Sequence, residues 1–224
     1  AMIPQFAYQV KDDCIRVNFY GQSEADITLP GKKTVRLKQV TDYPVTDEIT
    51  LEVAPAKESL FTIALRIPAW SSLATVQVNG ESVEGVLQGA YLPVTRKWKD
   101  GDRITVRLDL RARLVEMNQA QAIVRGPLVL ARDSRFNDGF IDETAVVVSK
   151  DGYVELTPVE APEFAWMTFT APLILGTDLE GSSAARPVHF CDFASAGNTW
   201  DKSQRYRVWL PRTLNVMHAP YKPY

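Results

Sequence analysis

Histidine and cysteine are scarce in this chain, with two of each among 224 residues. That scarcity excludes a zinc-finger spacing, a disulfide framework and a histidine-rich metal cluster. An excess of one charge is also missing. Lys and Arg total 25 against 27 Asp and Glu, a formal net charge of −2, with no basic stripe of the kind a nucleic-acid or anionic-membrane binder carries. Long apolar runs are absent, which excludes a membrane-spanning helix. No stretch of useful length keeps the 3.6-residue period of an amphipathic helix. The glycines are scattered singly among turns and make no phosphate-cradling loop. Ala1–Tyr20 lacks the basic start and apolar run of a signal peptide. The chain reads as a piece of a longer protein, so its first residues say nothing about where the parent resides.

What is present is strand. Phe61, Ile63, Leu65 and Ile67 alternate with smaller or polar residues, as do Ile49, Leu51 and Val53, and Ile104, Val106, Leu108 and Leu110. Successive strand side chains point to opposite faces, so each run has one face in a core and one in water. That pattern predicts antiparallel sheets. Pro30-Gly31, Asn79-Gly80 and Lys99-Asp100-Gly101-Asp102 predict turns, the last two as hairpins, because tight hairpins need the positive φ that Asn and Gly tolerate. In the second half, Arg125-Gly126-Pro127 predicts a bulge or edge. Strands are expected at 145–148, 154–156, 166–169, 188–193 and 206–210. The fold class is all-β: two antiparallel β-sandwich domains of jelly-roll or immunoglobulin-like kind. The first is expected over 1–118 and the second over 119–204. Residues 205–212 are expected as a strand that could complete the first, with 213–224 as an irregular tail. Cys14 and Cys191 read as buried free thiols, with a disulfide between them as the alternative.

No catalytic constellation stands out. A glycosidase needs two carboxylates facing across a sugar, and the acidic residues here sit in turns or at polar strand positions, where a solvated face explains them. A Ser-His-Asp triad would need His189 or His218, and no G-x-S-x-G elbow supports one. Asn137-Asp138-Gly139 with Asp142-Glu143 clusters oxygen ligands, but the spacing is not that of an EF-hand. The expectation is therefore no catalytic residue, no metal and no cofactor. Aromatic rings can stack on sugar faces, which makes Trp70, Trp98 and Trp200 the sugar-contact candidates. Trp70 follows a strand in Ile67-Pro68-Ala69-Trp70. Trp98 stands among Arg96, Lys97 and Lys99, and Trp200 lies in Gly197-Asn198-Thr199-Trp200-Asp201. Core packing is the ordinary reading for each.

Several stretches together resemble the C-terminal portion of the bacterial β-L-arabinofuranosidase-like family, glycoside hydrolase family 127 and its relatives. They are Ile15-Arg16-Val17-Asn18-Phe19-Tyr20 with Ser23-Glu24-Ala25, then Thr41-Asp42-Tyr43-Pro44 and Leu65-Arg66-Ile67-Pro68-Ala69-Trp70. Next come Val78-Asn79-Gly80, Trp98-Lys99-Asp100-Gly101-Asp102, Arg125-Gly126-Pro127-Leu128-Val129 and Asp192-Phe193-Ala194-Ser195-Ala196-Gly197. The resemblance implies an upstream (α/α)₆ barrel that carries the active site and a cysteine-rich zinc site, followed by two β-sandwiches. This chain would begin just after the barrel, so no catalytic or metal position is carried over. The implied function is a non-catalytic accessory region that supports or caps the barrel as its partner. The alternatives are an autonomous carbohydrate-binding module or a structural, adhesive sandwich. Plant-type arabinose-containing glycans are the implied ligands, and a homodimer through the sandwiches stays open. Nucleic acid and membrane are not expected as partners. The compartment stays open too, with periplasmic or extracellular placement of the parent implied ahead of cytoplasmic.

Overall fold

A computed structural model describes residues 6–176 and 184–212, and the chain divides into two compact units between Leu110 and Arg111. The first unit holds ten strands: β1 (Tyr8–Lys11), β2 (Cys14–Val17), β3 (Ser23–Leu29), β4 (Lys33–Val40), β5 (Glu48–Pro55), β6 (Ser59–Arg66), β7 (Thr75–Val78), β8 (Glu81–Ser82), β9 (Tyr91–Trp98) and β10 (Asp102–Arg107). They form a four-stranded sheet, β1-β2-β6-β9, and a six-stranded sheet, β3-β4-β5-β10-β7-β8. Side chains from both sheets share one core that includes Ile15, Leu37, Leu51, Phe61, Trp98 and Ile104. The alternation read from sequence is the cause. Ile49, Leu51 and Val53 are buried, while Glu48 and Glu52 between them meet Arg107 and Arg103 across the β5–β10 ladder. Exposed pairs of this kind add little stability, but they favour one register over a slip.

The strands pair antiparallel with one described exception, β2 against β6, where Cys14 faces Thr62 and Val17 faces Leu65. The chain reaches β6 only after laying β3, β4 and β5 into the opposite sheet, so it returns in the same direction. Asn79-Gly80, with φ of 52° and 85°, makes the expected hairpin between β7 and β8. The Lys99–Asp102 turn forms as well, with Asp102 N donating to Lys99 O at 3.2 Å, but it is not a hairpin. It carries the chain from β9 in one sheet to β10 in the other. The buried Asp102 carboxylate accepts from Lys99 N (3.0 Å) and Asn79 Nδ2 (2.9 Å), tying this corner to the neighbouring hairpin.

The second unit holds β11 (Ala112–Met117), β12 (Ala120–Arg125), β13 (Leu128–Asp133), β14 (Ala145–Val147), β15 (Tyr153–Val154), β16 (Thr157–Val159), β17 (Thr168–Leu175), β18 (Arg186–Asp192), β19 (Tyr206–Arg207) and β20 (Leu210–Pro211). Its sheet runs β14-β17-β18-β13-β12-β11-β15, with β16 on β17, β19 on β13 and β20 on β12. Ile123, Leu130, Phe169, Leu173, Val188 and Phe190 form its core.

Four expectations shift here. The division falls at Leu110 and not at 118, because β11 pairs with β12 as the first hairpin of the second sheet. The 206–210 strand is two short bridges, which join β13 and β12 of the second unit and not the first sandwich. Arg125-Gly126-Pro127 is neither bulge nor edge: Gly126, at φ 54°, and Pro127 make a two-residue turn that closes Arg125 on Leu128. The strand expected at 166–169 extends to Leu175, straight through Pro172. Pro172 faces Pro187, and its carbonyl turns away from that ladder to accept from Val148 N at 2.9 Å.

Both cysteines are free, Cys14 half-buried and Cys191 buried. Burial, with the nearby Asp133 and Asp192 carboxylates, pushes the Cys191 thiol up to about 12. Because the thiolate is the nucleophile, Cys191 should resist iodoacetamide at pH 8 in the folded chain and label after denaturation in urea. Peptide mapping checks this, and native-state labelling would contradict the burial. Among the described residues no helix is long and apolar enough to cross a membrane.

Candidate functional site

The second unit carries two surface features, a cross-braced loop end and an apolar groove. The braces start from two buried carboxylates at strand ends. Asp133, at the end of β13, accepts from Arg135 N (3.0 Å), Nε (2.8 Å) and Nη2 (2.6 Å), and from Gly197 N (2.9 Å). Burial alone would raise its pKa, but these hydrogen bonds and the guanidinium charge outweigh it and hold the carboxyl below the usual carboxylate range. Arg135 also donates to Asn198 Oδ1 (2.8 Å) and Ser195 O (3.0 Å), with its guanidinium 3.9 Å from the Phe164 ring centre. Asp192, at the end of β18, accepts from Ser195 N (3.0 Å), Ser195 Oγ (2.7 Å) and Met167 N (3.2 Å). Ser195 Oγ in turn accepts from Trp166 N at 2.9 Å, and Asn198 Nδ2 donates to Phe164 O at 3.0 Å.

Segments 133–137, 164–167 and 192–200 are thereby joined, and they hold out two indoles. Trp200 is 92% exposed and Trp166 56%. Gly197 shows how tight the support is. At φ 62°, a Cβ there would lie 2.6 Å from the Tyr206 ring, so only glycine fits.

The acidic loop around Asn137–Glu143 is committed to internal cations. Asp138 accepts from His189 N (2.6 Å), stands 3.2 Å from His189 Nδ1 and lies 3.5 Å from the buried Arg132 guanidinium, which Glu143 also meets at 3.5 Å. Asp142 binds Arg205 and Arg207. Among the described residues no three of His, Cys, Asp and Glu converge on a common point where a metal could sit. His189 stacks on Phe136 at 5.2 Å, and His218 lies outside the described residues.

The groove is different in character. Val115, Ala122, Val124, Val129, Phe193 and Trp209, with Val208, enclose about 390 Å³. Val115, Ala122, Val124 and Val129 lie on the face of β11, β12 and β13 opposite the core, since Ile123 and Leu130 point inward, and Phe193, Val208 and Trp209 line the groove from the segments after β18 and β19. Phe193, Val115 and the nearby-in-sequence Met117 are all substantially exposed.

The three sugar-contact candidates fare differently. Trp98 is a correction: it is fully buried, packs on Phe61 at 6.0 Å and donates Nε1–H to Phe61 O at 3.1 Å, so no ligand can stack on it. Trp70 is half-buried against the first core. Of the three only Trp200 is open, and Trp166, which sequence placed inside a strand, is the more exposed of two further rings, with Trp209, that the reading missed. Its signal was the turn in Ala161-Pro162-Glu163-Phe164-Ala165, where Ala165 N donates to Pro162 O at 2.9 Å just before it.

Residues 14–110 match the family described as "Beta-L-arabinofuranosidase, GH127 middle domain", and they end where the first unit ends. The first unit thus resembles a GH127 middle domain. Solved structures with the same fold include a GH127 β-L-arabinofuranosidase from Geobacillus stearothermophilus T6. It is 22% identical with a TM-score of 0.75, and the match covers 93% of this chain and 35% of that one. The GH127 β-arabinofuranosidase BT3674 is 23% identical with a TM-score of 0.76, over 94% of this chain and 37% of that one. A third, described as a glycoside hydrolase, is 24% identical with a TM-score of 0.74, over 92% and 37%. The chain thus spans little more than a third of these three structures, and the family match lies in its first half. No curated protein matches it.

Proposed function

We propose that this chain is the non-catalytic accessory β-sandwich region of an arabinofuranosidase-like glycoside hydrolase, and that it supports an (α/α)₆ catalytic barrel of the parent protein. The observation that carries this reading is the GH127 middle-domain match over 14–110, set in a chain that covers only 35% to 37% of the solved hydrolases sharing its fold. The apolar groove of the second unit supplies a contact surface suited to that role, because clustered exposed apolar side chains mark partner sites. The carboxylates of the second unit described above are consumed by arginines, histidine and backbone N–H groups, which suits a scaffold better than acid–base chemistry.

Two measurements test it. The purified chain should release no 4-nitrophenol from 4-nitrophenyl arabinofuranosides above the blank between pH 5 and 8, and turnover that survives a chelator would overturn the reading. Produced together with the parent's barrel, the chain should form a complex stable to size-exclusion chromatography. Val124→Asp, at the floor of the groove, should weaken that complex at least about tenfold, because a charge buried without a partner is costly.

A further inference from the structure

We propose that the braced loop end of the second unit is a glycan-binding platform, on which Trp200 and Trp166 stack against the apolar C–H faces of a neutral oligosaccharide. The argument begins with Trp200, which is unfavourable twice over. It is 92% exposed, and its backbone sits at φ 58°, a region that bulky side chains rarely adopt. Such a conformation persists only where its surroundings impose it, and it concentrates at binding and catalytic sites. Here the surroundings do impose it. Trp200 N donates to Gly197 O at 3.2 Å, Gly197 is fixed by the buried Asp133, and the Tyr206 ring lies over Gly197.

The second exposed indole belongs to the same framework. Trp166 hangs from Ser195 Oγ, which Asp192 holds. Two wholly buried carboxylates therefore spend their hydrogen bonds on fixing a surface loop that displays aromatic rings. A ring needed only for packing would be turned inward. A rigid, outward ring is preorganised, and preorganisation reduces the entropy lost on binding.

The neighbours of these rings decide the ligand class. Thr199, Asp201, Lys202, Ser203 and Gln204 flank Trp200 on the side away from the Asn198 brace. Thr199 bonds Gln204 and Ser203 bonds one oxygen of Asp201, and the second Asp201 oxygen and the Gln204 amide nitrogen are groups of the kind that meet sugar hydroxyls. A protein-docking surface would have aliphatic companions, as the groove of Val115, Val124 and Val129 has. The two charges beside Trp200, Asp201 and Lys202, are of opposite sign, so the loop has no cationic patch for a strongly anionic ligand. Flat apolar rings among hydrogen-bonding groups with no net charge suit a polyhydroxylated ligand with one apolar face.

Affinity electrophoresis of the full chain through gels holding soluble arabinan, arabinoxylan or galactan tests this, alongside tryptophan fluorescence titrations with the matching oligosaccharides. At least one polysaccharide should retard the wild type, and its oligosaccharide should shift the emission. Trp200→Gly, which suits the positive φ, should keep the melting temperature at or above wild type and weaken association at least about tenfold. Trp166→Ala should weaken it similarly, while Trp200→Phe, which keeps a ring, should retain part of it. Failure of all three polysaccharides to retard the wild type would overturn the proposal. So would a Trp200→Gly variant that binds like wild type, or binding to anionic vesicles in place of glycans. The platform does not depend on the accessory reading: turnover of aryl glycosides would sink that reading and leave the retardation result intact.

Discussion

Replacing Trp98 by alanine should cost the first unit about 3–5 kcal/mol, the range for deleting a buried aromatic ring. The side chain is fully buried at the end of β9, in van der Waals contact range of Phe61 across the sheet and with its indole N–H bonded to the Phe61 carbonyl. Truncation would remove the ring's transfer free energy and leave a cavity beside the Lys99–Asp102 corner, where Asp102 is itself buried. Domains are stable by only about 5–15 kcal/mol in total, so the loss should be plain in urea denaturation. Trp98→Phe should recover much of it, since it keeps most of the apolar volume and gives up one hydrogen bond, worth about 1 kcal/mol. A Trp98→Ala cost below about 1 kcal/mol would mean that the ring does not fill the core.

Asp133→Ala should cost the second unit a comparable amount, about 3–5 kcal/mol, by a different mechanism. Removing one member of a buried ion pair leaves the other charge uncompensated, and here the Arg135 guanidinium would stay only 11% exposed. The Gly197 and Arg135 backbone N–H groups would lose their acceptor as well. If stranded charge is the cause, Asp133→Ala with Arg135→Met should be more stable than the sum of the single changes, which a double-mutant cycle measures. Additive losses would contradict it. The pH dependence has a definite sign. A carboxyl held below its unfolded value contributes stability that is fully present above the usual range near ~4 and is lost as pH falls through the folded value. The wild type should therefore weaken in acid at least in part through Asp133, and Asp133→Ala should show a shallower acid decline.

The residues that were legible in the sequence were those whose environment is set by near neighbours. The alternation at Ile49–Val53 and Phe61–Ile67 gave strands with the correct inward faces, and Asn79-Gly80 gave its hairpin. Trp98 shows where a local reading misled. Its charged neighbours suggested water, yet it shares parity with Leu92 and Val94 on the inward face of β9. Arg96, on the same face, lays its guanidinium 5.3 Å from the indole centre, covering apolar surface with its stem and ring with its charge. The division of units was hidden because β11 follows β10 after only four residues with no glycine or proline between them, and only its partner reveals the sheet it joins. The braced loop was hidden for a stronger reason. Asp133 and Gly197 are 64 positions apart, so no window holds both. The short-range half was visible in Asp192-Phe193-Ala194-Ser195, where an Asp side chain accepts from the N–H three residues on.

The same-direction pairing of β2 with β6 bears on how the protein is made. Cys14 cannot meet Thr62 until 48 further residues have been delivered, which at roughly 5–20 residues per second takes about 2–10 s on the ribosome. Until then the first two strands have a greasy face and no neighbour, while β3 and β4 can zip up as an adjacent hairpin. The β3-β4-β5 half of the six-stranded sheet is thus able to nucleate first and serve as the template on which β6 and the later strands of both layers close.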